Sequence, residues 1–382
     1  MSRVRISVPR VRFAMVMAVA GGVALLAAGC SGGGKPDPAA SSYGTQVAAA
    51  MKTRTQAMAA ISDLAADPVV SYDGTLPGSA TAGDVKLTVS RGGAVSGSVD
   101  LDGKTVKVYV ADGTTLVNAS KSYWDGKAGA TSKAAQYAGK WVKVTGTDSV
   151  GFDPADVLKP ATIAQRLRGT LSSVGTPAPD KVGDTDALKV PVVGGNIYIT
   201  NKAPWRILKV DVPGLLSNGS EGAATGKGME LTHLDPKAVD SFYKDLKGEK
   251  LSDALDSGVN FIQSGSGNLD CKTGGSCTAS VSFSTSTTSS SGGKVTAELN
   301  VTMTASGLPT KKCSASKSVS SSGSDSMSCN ANFHLAPSPH PKTYRVLANY
   351  VLTAKASVDQ TKINKDLDTA AKKDHDAAKK NE

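Results

Sequence analysis

Lys104-Thr105-Val106-Lys107-Val108-Tyr109-Val110-Ala111 stands between Asp102-Gly103 and Asp112-Gly113. Val106, Val108 and Val110 alternate with Thr105, Lys107 and Tyr109, and each Asp-Gly is a hairpin dipeptide. The stretch predicts an antiparallel strand with one apolar and one polar face. Upstream, Val85–Val89 ends at the turn signal Arg91-Gly92-Gly93, and Val95, Val99 and Leu101 alternate with polar residues. Downstream, Leu116-Val117 begins a fourth strand. Ahead of this meander, Val47, Met51, Met58, Ile61 and Leu64 fall near helical spacing over 45–66, and Asp67-Pro68 stops the helix.

Residues 120–168 read as helical around Tyr123-Trp124, Ala134–Tyr137 and Pro154–Arg168, with a short strand at Lys140–Val144. A second set of strands is predicted at Ala187–Val193, Gly195–Thr200, Trp205–Val212 and Met229–Leu234. Residues 236–256 read as helix, with Asp235 as N-cap and Pro236 at its first position. Residues 257–268 are rich in Ser and Gly and read as a linker. Beyond it the pattern is all-β. Cys277, Ala279, Val281 and Phe283 share one face of a strand, and Val295 to Ala305 alternate on the next. Met327 to Phe333 and Tyr344 to Val358 repeat the period of two, so residues 269–359 predict a sandwich of sheets buried on one side. Residues 360–382 are a Lys/Asp/Ala tail, read as a frayed helix or a disordered segment.

Cys271, Cys277, Cys313 and Cys329 all lie in that second domain. An even count in an exported chain reads as two disulfides. The nearest pairs, Cys271–Cys277 and Cys313–Cys329, are favoured; Cys277–Cys329, both on inward faces, is the competitor.

Export is read from the start of the chain. Arg3, Arg5, Arg10 and Arg12 precede an apolar run that ends Leu25-Leu26-Ala27-Ala28-Gly29-Cys30, with no acidic residue before Cys30. A basic region, a short apolar region and small residues at a cleavage point make a secretory signal over 1–29. Cys30 after Ala-Ala-Gly resembles the bacterial lipobox, in which that Cys carries a diacylglyceryl group; Ala27 stands where Leu is commoner. Residues 30–44 would then be a Gly/Ser/Pro tether holding the protein off the bilayer, at the extracytoplasmic face of the cell membrane. Losing four arginines with residues 1–29 takes the formal charge from +10 to +6. The remaining lysines are scattered, which speaks against a nucleic-acid partner and fits mild attraction to an anionic surface.

A lipobox, tether, leading helix, strand hairpins, helical insertion and returning strands together resemble the LolA-like fold of the actinobacterial LppX/LprG lipoproteins, over residues 45–256. Gly139–Val144, Ala187–Thr200 and Pro204–Val212 read like segments of that group. The Cys-x5-Cys, the Thr-rich hairpin and the later Cys pair resemble Ig-like domains appended to actinomycete lipoproteins. The expected architecture is therefore α+β: a LolA-like antiparallel half-barrel covered by helices, then a disulfide-braced Ig-like sandwich. The resemblance implies a concave apolar face that holds acyl chains. Its lining would be Val106, Val108, Val110, Val190, Val192, Ile197, Ile199, Leu208 and Val210, with Trp141 and Trp205 at the rim. The same residues equally describe a closed core under the helices.

Catalytic signatures are missing from the sequence. No Gly-x-Ser-x-Gly elbow, His-Glu-x-x-His or Cys-x-x-Cys pair occurs, and the four histidines are dispersed. No enzyme activity, cofactor or metal is expected. Two functions fit: a membrane-anchored binder of a lipid or glycolipid, or a surface module that engages an envelope protein or wall polymer.

Overall fold

Turn chemistry shapes the first half of the fold. In the computed structural model, Asp102 and Gly103 take φ of 53° and 71°, and Asp112 and Gly113 take 49° and 68°. These left-handed pairs match the twist of a hairpin. The structure describes residues 38–76, 82–127, 130–144, 150–216, 228–265, 267–287, 294–338, 340 and 342–381. Cys30, the signal and most of the tether lie outside them. The chain forms two units, Met1–Gln46 and Val47–Glu382.

Helix α1 runs Pro38–Ala66. Five strands follow as a meander: β1 (Val69–Thr75), β2 (Ala82–Ser90), β3 (Val95–Leu101), β4 (Lys104–Ala111) and β5 (Thr114–Asn118). The insertion holds α2 (Lys121–Asp125), α3 (Ala134–Tyr137), β6 (Trp141–Val144), α4 (Pro154–Val157) and α5 (Pro160–Thr170). The returning strands are β7 (Ala178–Val182), β8 (Thr185–Val192), β9 (Gly195–Thr200), β10 (Ile207–Asp211) and β11 (Met229–His233). The sheet order β6-β5-β4-β3-β2-β1-β11-β10-β9-β8-β7 is antiparallel at every step, because β11 returns beside β1. Helix α6 (Pro236–Gly248) is started by Asp235, whose carboxylate accepts from the Ala238 N–H at 2.7 Å.

The remaining elements are β12 (Leu255–Asp256), β13 (Val259–Gln263), β14 (Asn268–Cys271), β15 (Ser276–Thr287), β16 (Lys294–Ala305), β17 (Lys311–Ser320), β18 (Gly323–Asn332), β19 (Val346–Lys355) and α7 (Gln360–Asn381). Strands β17-β16-β19 form one sheet of a two-layer sandwich, and β15 with β13, β14 and β18 forms the other. Phe283, Val281, Leu299 and Met303 bury the core between them. Strand β12 pairs with both β6 and β19, so the first sheet and one sandwich sheet are hydrogen-bonded into a single run. The fold is α+β with large sheets, and among the described residues no sheet closes into a barrel.

One expectation needs correcting, and one open alternative resolves. Residues 257–268 contain strand β13, held by β15 through five register pairs, rather than only a linker. The tail from 360 is helix α7, packed on the outer face of the first sheet beside α6. Ile363, Leu367 and Ala378 of α7 join Val239, Phe242, Tyr243 and Leu246 of α6 and Tyr109 and Leu116 of the sheet in a second core. Tyr109, expected on a polar face, is therefore buried: the sheet is covered on both sides there.

Both favoured disulfides are present. Cys271 and Cys277 face each other across β14 and β15. Cys313–Cys329 ties β17 of one sandwich sheet to β18 of the other. Cys277 and Cys329 occupy neighbouring register positions in one sheet, opposite Ala331 and Ala279 respectively.

Candidate functional site

The candidate site is the apolar layer between the first sheet and the helices α1 and α5. Strand alternation places Val106, Val108 and Val110 of β4, Val190 of β8, Ile197 and Ile199 of β9 and Val210 of β10 in one cluster with Ile61 and Leu64 of α1 and Ile163 and Leu167 of α5. Each of those strand residues is at most 3% exposed. Val192 and Trp205 are half-buried against the same cluster.

Two expected members lie elsewhere. The β9–β10 register shifts between Ile207 and Lys209, so Leu208 is the extra residue of a bulge. Ile207 takes the inward place and Leu208 stays half-buried outside the cluster. Trp141 sits on the opposite face of the sheet: Val142 and Val144 turn to the layer and Trp141 turns to the second core. There its ring meets the Tyr109 ring edge-on at 5.9 Å, and its Nε1–H donates to Glu249 Oε2 at 2.9 Å. Burial, then the Glu249 charge, pushes the Tyr109 hydroxyl up to about 12.

The layer also contains polar groups that sequence reading did not single out. The Tyr72 hydroxyl of β1 and the Trp124 Nε1–H of α2 are buried with no hydrogen-bond partner among the described residues. Burial, then the Asp67 charge, raises the Tyr72 hydroxyl far above its usual range. Trp124 is wedged edge-on between Tyr123 and Tyr137, with centroids at 5.0 and 5.1 Å. A buried donor without an acceptor costs about 1–3 kcal/mol, so these two mark where a polar ligand atom would be stabilised.

A polar corner closes the end of α1. His233 of β11 holds Asp67 Oδ2 through Nδ1 at 2.5 Å, and its Nε2–H donates to the Ile207 carbonyl at 2.8 Å. Asp63 lies beside them, with the Arg206 guanidinium 3.7 Å away. Burial alone would depress His233; the Asp67 hydrogen bond and charge and the Ile207 carbonyl outweigh it and raise its pKa. Burial, then the Asp67 charge, raises Asp63. Asp63, Asp67 and His233 offer ligand atoms within 4.8 Å of one another. Both His233 nitrogens are already engaged, and Arg206 supplies a positive charge to Asp63, so the group reads as an internal ion-pair network. A separation of 166 residues hides the His233–Asp67 pair from any sequence motif.

No helix among the described residues is long and apolar enough to cross a membrane. No protein-family model matches the chain. No curated protein matches it either. Among solved structures, the chain is similar to the crystal structure of LprF from Mycobacterium bovis. That match has 12% identity, covers 47% of this chain and 90% of that one, and has a TM-score of 0.32. A likeness this distant assigns neither fold nor function.

Proposed function

We propose that the protein is a lipid-anchored, non-enzymatic envelope lipoprotein that binds an apolar ligand, a lipid or glycolipid, in the layer between the first sheet and α1 and α5. The lipid anchor on Cys30 and the extracytoplasmic location belong to the same reading. The observation that carries it is the pair of unpartnered donors, Tyr72 and Trp124, inside a mostly aliphatic layer. A ligand with an apolar body and a carbonyl or hydroxyl would fill the one and satisfy the other. Binding would be driven by apolar area, at about 0.8 kcal/mol per buried methylene. The anchor would keep the layer close to its lipid source and raise the effective concentration.

Val and Ile dominate the sheet side of the layer. The test is native mass spectrometry of the exported protein before and after organic extraction, with Val108→Trp and Ile199→Trp alongside. A lipid-mass adduct that leaves on extraction, and is absent from folded tryptophan variants, is the expected result. A clean apo mass, with both variants destabilised by about 1–3 kcal/mol through overpacking, overturns it. The near-complete burial of the lining residues supports a second reading, in which the layer is a packed core and the protein engages an envelope partner through its surface.

A further inference from the structure

The sandwich is closed on one side and open on the other. On the β17/β18 side the two sheets are joined by Cys313–Cys329 and by a short turn. On the other side β19 pairs with β16 over its whole length but with β12 only at Ala354 and Lys355. Its residues 346–353 have no second partner strand among the described residues, and β14 opposite pairs only with β15. Between these edges the inner faces part to form a cleft of about 280 Å³. Leu269, Ala279 and Val281 line it from one sheet, and Leu299, Val301 and Ala348 from the other. None of these side chains titrates. Asn268 and Ser280 also border the cleft and supply polar atoms beside it. Gly267 also borders the cleft and packs closely on Tyr350: a Cβ there would meet the ring at 3.1 Å.

We propose that this cleft binds a single unbranched alkyl chain, with its polar end beside Asn268 and Ser280. The cleft has room for a short segment of such a chain. Its aliphatic walls suit a chain that needs no hydrogen bonds along its length. An extended peptide would instead lie on the free edge of β19, outside the wedge, and use the backbone groups there. The site is separate from the layer under α1 and stands or falls independently of that reading.

Dodecanoate is the probe, titrated into the full mature chain with isotope-labelled Ile, Leu and Val methyls and followed by NMR. Saturable shifts of the Leu269, Leu299 and Val301 methyls are expected. Ala348→Trp, at a half-buried position lining the cleft, should weaken the response at least tenfold while circular dichroism stays unchanged. Gly267→Ala, which crowds the Tyr350 ring beside the cleft, should weaken it as well and decides the matter if the tryptophan variant misfolds. Shifts confined to Val106, Ile197 and Ile199 would overturn the proposal while supporting ligand binding in the first domain. An absence of shifts would overturn it. So would a response to a Val-Thr alternating hexapeptide with none to dodecanoate, which would reassign the edge to a strand partner.

Discussion

At the scale of single residues, the polar corner at the end of α1 is the most sensitive point of the first domain. His233 and Asp67 are almost fully buried, and Asp67 and the Ile207 carbonyl favour the protonated form of the histidine. Removing one member of such a pair leaves the other charge buried and costs about 3 kcal/mol or more. Because the folded protein raises the His233 pKa, its contribution is fully present below the unfolded value of 6.5. It fades as pH rises through the raised folded value. His233→Gln should therefore lose about 3 kcal/mol at pH 6, measured by urea unfolding, and the gap to the parent should narrow as pH rises above the folded pKa. A gap independent of pH would mean that the pair is neutral. None of this is visible along the chain, where Asp67 reads only as the stop of a helix. Long-range pairing is a property of the topology that brings β11 beside β1. The place of Trp141 is hidden for a related reason: alternation separates two faces without saying which one the helices cover, and here both are covered.

Among elements, the sandwich strands were the most legible part of the molecule. Cys277 to Phe283 and Met327 to Phe333 alternate strictly, and the structure buries those residues and leaves their neighbours half-buried or exposed in β15 and exposed in β18. Helix α7 was not legible as a packed element, because its inward stripe after Leu367 is Ala370, Ala371, Asp374 and Ala378, too weakly apolar to signal burial. The Tyr243 hydroxyl donates to Asp374 Oδ2 at 2.6 Å and makes that carboxylate tolerable inside the contact. The disulfides differ in what they hold. Cys271–Cys277 closes a separation of 6 residues within one sheet, and Cys313–Cys329 closes 16 residues across two. Loop-closure entropy assigns about 2 kcal/mol to the first and about 3 kcal/mol to the second. Replacing each pair by alanines and comparing urea midpoints should show the larger loss at Cys313–Cys329. The reverse order would mean that strain or residual structure, rather than chain entropy, sets their effect.

For the molecule as a whole, the order of elements along the chain makes the sandwich an insertion rather than an appendage. Helix α6 leads into β12, the sandwich follows, and the chain returns through the end of β19 to α7, which packs back on α6. The two crossing points are adjacent: Asp256 is the antiparallel partner of Ala354, and the Ala356 N–H donates to the Ala254 carbonyl at 2.8 Å. The outer face of the first sheet is thus completed only by the last helix of the chain. Ending the chain at Asp256 would uncover Tyr109, Val239, Tyr243 and Leu246. Ile363 and Leu367 alone stand for about 2–5 kcal/mol each as buried anchors, against a total stability of about 5–15 kcal/mol for a typical domain. Replacing residues 257–353 by Asn-Gly, a two-residue hairpin turn, would instead join Asp256 to Ala354 and keep α7 in place. The joined chain should unfold in one cooperative urea transition with native-like circular dichroism, while the chain ending at Asp256 should lose most of its stability or aggregate. Equal stability of the two would show that α7 only rests on the first domain, and that the sandwich and tail are independent of it.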